Sequence, residues 1–89
     1  MARYELPYSD VLDGAAADGG ANALLELGLM YCTGRDVVFD LVEAHKWFNL
    51  AALRGNLEAR RYRTEISSEM TKAQIGRAQR AAREWLSCH

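Results

Sequence analysis

A single proline, Pro7, stands in the whole chain, so helix breakers are almost missing and helix is open to nearly every segment. β-branched runs are as scarce. The only one is Asp36-Val37-Val38-Phe39-Asp40, too short and isolated to build a sheet. Two cysteines, Cys32 and Cys88, are too few for a disulfide framework and suit a reducing cytoplasm. No apolar run approaches the roughly 18 residues of a membrane span. The start, Met1 to Pro7, has no apolar core of a signal peptide, so a cytoplasmic protein without membrane attachment is expected. Charge of one sign is also lacking overall, the formal net being −1.

What is present is alanine, helical spacing and a repeat. The 89 residues are 49% hydrophobic, which suits one small domain that buries a core with little margin. Ala15-Ala16-Ala17-Asp18-Gly19 and Ala51-Ala52-Leu53-Arg54-Gly55 share the form Ala-Ala-x-x-Gly at an offset of 36 residues. Each is followed four residues later by alanine, Ala23 or Ala59. An offset of that size marks an α/α repeat array, and such arrays bind other molecules along an extended surface.

Five helices are expected. The first spans residues 9–18, with Ser9 as N-cap and Gly19-Gly20 as its end. The second spans 21–32, with Leu24, Leu27, Gly28 and Tyr31 as its apolar stripe, and Thr33-Gly34 stops it. Asp40 caps the third, which runs to Arg54 with Ala44, Trp47, Phe48, Ala51 and Ala52 facing inward. Gly55 makes a tight turn into the fourth, 56–67, whose inner face is Ala59, Tyr62 and Ile66. Thr71 and Gln74 have the form of a capping box that opens the fifth, 72–86, with Ile75, Ala78, Ala82 and Trp85 inward. Gly28 and Ala44 are expected to face each other and let the second and third helices approach closely.

These residues together resemble a Sel1-like repeat, a relative of the tetratricopeptide repeat. The pattern runs Ala16-x-x-Gly19-x-x-x-Ala23-x-x-x-Leu27-Gly28-x-Met30-Tyr31-x-x-Gly34, then Asp40-x-x-x-Ala44-x-x-Trp47-Phe48-x-x-Ala51-Ala52-x-x-Gly55. It covers residues 15–59, about half of the chain. Beyond Gly55 it fades: Arg63, Thr64 and Ser67 stand where Leu27, Gly28 and Tyr31 stood. The resemblance implies an all-α, short right-handed superhelix occupying 1–89 as one domain. In it, 9–18 is a half repeat, 20–55 a full repeat, 56–67 a partial repeat and 71–87 a C-terminal cap. It also implies a non-enzymatic adaptor, of a kind frequent in bacterial signalling, secretion and envelope processes. The per-repeat disulfide of some secreted relatives has no counterpart here.

In such repeats the first helix of each pair lines the concave face. The partner-binding candidates are therefore Asn22, Leu25, Glu26 and Leu29, with Glu58, Arg61, Tyr62 and Glu65 at the offset of 36. Leu25 and Leu29 are apolar and not needed by the stripe, so a peptide or helix of a partner suits them. The alternative is that both pack against the first helix, and Tyr62 is also wanted by the core.

No other chemistry has its spacing. His45, Cys32, Cys88 and His89 form no metal-ligand motif, and Cys32 with His45 lacks an orienting third group. No cofactor, catalytic residue or metal is expected. Residues 1–53 hold three Lys/Arg against eight Asp/Glu, and residues 54–89 hold eight against four. That asymmetry suits head-to-tail pairing of two copies, an acidic partner, or simply a solvated surface with i,i+4 pairs. The arginines of the second half open a weak nucleic-acid alternative, which the interleaved Glu58, Glu65, Glu69 and Glu84 oppose. A repeat stack needs about three units for stability. Either the fifth helix closes this stack, or copies pair, as in a homodimer or a small structural or regulatory subunit that completes a larger complex.

Overall fold

The computed structural model describes residues 20–88, so the expected helix over 9–18 lies outside the described residues. Those residues form four helices: α1 (Ala21–Thr33), α2 (Leu41–Leu53), α3 (Leu57–Ser67) and α4 (Lys72–Cys88). No strand occurs among them, and none of the helices is long and apolar enough to cross a membrane. The expected all-helical class holds. The last helix runs two residues past its expected end.

Each helix boundary has a local cause. Gly34 closes α1 in the left-handed region at φ 73°, and the Gly34 and Arg35 amides both donate to the Met30 carbonyl. Asp40 caps α2, its carboxylate accepting from the Val42 and Glu43 amides at 2.9 and 3.1 Å. Its own amide donates to the Tyr31 carbonyl at 3.0 Å, which pins the connecting loop to the end of α1. Gly55 turns the chain at φ 99°, and Asn56 caps α3 by accepting from the Ala59 amide at 2.9 Å. Thr71 and Gln74 exchange hydrogen bonds of 2.8 and 3.1 Å at the start of α4, the expected capping box.

The central helix is α2, which packs on α1, α3 and α4. It runs antiparallel to α1 and α3 and parallel to α4. Its buried residues, Ala44, His45, Trp47, Phe48, Leu50 and Ala51, cover more than half of the helix circumference, wider than a single stripe, because it has three neighbours. Leu24 and Leu27 of α1, Ala59 and Ile66 of α3, and Ala82 and Trp85 of α4 complete the core. Trp47 and Trp85 meet edge to face at 5.8 Å between ring centres, which fastens α4 to α2.

The space above Gly28 is occupied by the Phe48 ring: a Cβ on Gly28 would overlap Phe48 Cδ1 and Cε1. Ala44 lies one turn before Phe48 on the same face of α2 and is fully buried.

Candidate functional site

Of the eight candidate positions, five are exposed: Asn22, Glu26, Glu58, Arg61 and Glu65. Leu25, Leu29 and Tyr62 are half-buried and pack against the core, so the apolar strip is shallower than a fully exposed one. The structure brings the starts of α1 and α3 together, with Asn56 Nδ2 donating to Asn22 Oδ1 at 3.1 Å. Glu26 lies elsewhere along α1 and pairs with Arg35 at 3.0 Å. Arg61 reaches Glu58 at 3.8 Å and lies over the Tyr62 ring at 5.5 Å. Both ion pairs are exposed and contribute little stability.

Tyr62 links this surface to the interior. Its ring stacks on Phe48 at 5.4 Å with an interplanar angle of 17°, and Phe48 in turn covers Gly28. A continuous stack therefore runs Arg61, Tyr62, Phe48, Gly28, from the surface of α3 through α2 to α1. It sets the spacing of the two helices that carry the candidate residues.

The residues that depart from the repeat pattern make a second feature. Ser67 stands where Tyr31 stood, and its hydroxyl lies 3.1 Å from His45 Nε2. Arg63 stands where Leu27 stood, and donates to Asn49 Oδ1 at 2.6 Å. His45 and Asn49 are one turn apart on α2, and Arg63 and Ser67 one turn apart on α3, so they form a two-rung polar seam. Sequence spacing gave no sign of it, because each partner is chosen by the register of another helix. Ser67 also donates to the Arg63 carbonyl at 2.7 Å, so it accepts from His45, and His45 carries its proton on Nε2. His45 Nδ1 is buried with no hydrogen-bond partner among the described residues.

His45 is only 3% exposed, and burial first and the Arg63 charge second hold its pKa below the ordinary 6.5. The folded chain therefore binds fewer protons than the unfolded chain. The contribution of His45 to stability is fully present above pH 6.5 and is lost as the pH drops through that value toward the lower folded one. Urea midpoints at pH 7.5 and 5.5 should show a loss of up to about 1.4 kcal/mol per pH unit. His45→Gln should flatten that part of the profile. An equal slope in the variant would assign the effect to other groups.

The remaining reactive side chains do not converge. Cys32 is half-buried, burial pushes its thiol pKa up, and Sγ points at the Leu29 carbonyl at 3.6 Å. Cys88 is exposed. Among the described residues no three His, Cys, Asp or Glu side chains gather as a metal site would need, and no pocket forms. The most exposed large apolar residues are Val38, Phe39, Leu53, Leu57 and Leu86, none of them a candidate from the sequence. The signal was present but slight: Val38-Phe39 in a loop between polar residues, and Leu53 and Leu57 off the helical stripes. No protein-family model, no curated protein and no solved structure matches the chain.

Proposed function

We propose that the chain is a non-enzymatic, Sel1-like α/α-repeat module that binds a segment of a partner protein across the face of α1 and α3. The observation that carries this is the Arg61–Tyr62–Phe48–Gly28 stack. It holds the two helices at a fixed spacing, so a partner meets a surface already in its binding form. Leu25, Leu29 and Tyr62 give that surface its apolar floor, and Glu26, Glu58, Arg61 and Glu65 rim it. A shallow floor of this kind suits an amphipathic helix or extended segment with a few apolar anchors rather than a small molecule. The 36-residue offset and the central position of α2 between successive neighbours support the repeat reading.

The test uses a peptide selected from a random displayed library against the whole chain. Leu25→Glu with Leu29→Glu should weaken its binding at least about tenfold, or ~1.4 kcal/mol, with the helical far-UV signal retained. Arg61→Glu, at an exposed position, gives the same answer without risk to the core. Unchanged affinity in both variants would remove this face from the account.

A further inference from the structure

The five exposed large apolar side chains among the described residues fall into two groups at opposite ends of α2. Val38 and Phe39, 85% and 57% exposed, stand in the loop that precedes it. Leu53, Leu57 and Leu86, 65%, 75% and 45% exposed, lie at its far end. Leu53 closes α2 and Leu57 opens α3 across the turn. Leu86 follows Trp85, whose ring meets Trp47 and has the guanidinium of Arg54, the residue after Leu53, 5.6 Å from its centre. Single exposed leucines are ordinary, but apolar groups at both ends of one rigid helix ask for a covering surface.

The two ends carry opposite charge. Asp36 and Asp40 flank Val38 and Phe39, while the adjacent Arg35 is engaged by Glu26. Arg54 follows Leu53, and Arg60 sits three residues beyond Leu57 on the same side of α3, while the adjacent Glu58 is engaged by Arg61. Arg83 stands in the same relation to Leu86. Both ends are also held in shape. The loop has left-handed backbone at Gly34 and Asp36, its Val37 packs on the core, and Asp40 is tied to Tyr31. The turn is fixed by Gly55 and by the bonds of Asn56 to Ala51 and Asn22. Little ordering is left to oppose association.

We propose that copies of this chain stack end to end, with Val38 and Phe39 of one copy seated on the Leu53–Leu57–Leu86 surface of the next. Asp36 and Asp40 then face the arginines that border those leucines. The contact joins two different surfaces, so it does not close on itself and produces chains of increasing length. Each contact is small and therefore weak, and assembly depends on concentration. The α1 and α3 face stays open along the stack, and the inference stands whether or not that face binds a partner.

The test rests on complementation between variants. Phe39→Asp damages the loop surface and leaves the leucine surface intact; Leu57→Asp does the reverse. Light scattering across a concentration series should show the unaltered chain rising past the mass of two chains. Each variant alone should remain at the mass of one. An equal mixture should reach the mass of two and stop, because only one good contact is possible per pair. Added salt should lower the assembled fraction. Far-UV circular dichroism checks that each variant is folded, and Val38→Asp, at the most exposed position, replaces Phe39→Asp if it is not. An unaltered chain that stays at one copy overturns the proposal. So do variants that assemble like the parent, or a mixture that equals the sum of its parts.

Discussion

Replacing Phe48 by alanine is expected to leave the chain largely unfolded at room temperature. Phe48 is fully buried, covers Gly28 of α1 and stacks on Tyr62 of α3. Removing a buried phenylalanine costs about 3–5 kcal/mol in transfer and cavity terms. A single small core rarely supplies more than about 3–5 kcal/mol in total, so the loss equals the whole margin. The helical far-UV signal should fall steeply and the thermal transition should lose its cooperativity. A variant that melts close to the parent would mean that α1 and α3 are held by something other than this ring.

The second large effect is expected at Gly28, and its sign is the informative part. Alanine is a better helix former than glycine by about 1 kcal/mol, so propensity alone predicts that Gly28→Ala stabilises α1. The added Cβ would lie on Phe48 Cδ1 and Cε1 and 3.0 Å from Cγ. That ring is confined between α1 and Tyr62, so it has nowhere to move. Overpacking of this kind costs about 1–3 kcal/mol, which outweighs the propensity gain. Gly28→Ala should therefore lower the urea midpoint, and Gly28→Leu should lower it further. In a Phe48→Leu background, where the ring atoms are gone, the alanine substitution should cost less. A double-mutant cycle with no coupling between the two sites would contradict the contact.

The parts of the fold that could be read from the chain are those with a local cause. Asp40, Gly34, Gly55 and the Thr71–Gln74 pair act on backbone groups within four residues of themselves, and each stands where the sequence puts it. The stripes of α1 and α4 were legible for the same reason, since each of these helices packs mainly against α2. The central helix was less so. A stripe assumes one buried face, whereas α2 has neighbours on three sides, so Leu50 and His45 are buried beyond the expected set. The partners of His45 and Asn49 depend on how α3 slides along α2, and no spacing within either helix encodes that. The same limit applies to Gly28: its small size signalled a close approach, but not that an aromatic ring would fill the space. At the candidate site, the exposure of Glu26, Glu58, Arg61 and Glu65 follows from their polarity. For Leu25, Leu29 and Tyr62 the sequence left packing and binding both open, because their half-burial depends on neighbouring helices.

The binding account is tested most directly by an amide chemical-shift map of the whole chain with a library-selected peptide. The predicted result is that the largest shifts cluster on α1 and α3, around Leu25, Leu29, Arg61 and Tyr62, with smaller ones at Phe48 and Gly28 through the stack. Shifts confined to α4 or to the Val38–Phe39 loop, with α1 and α3 unmoved, would contradict it.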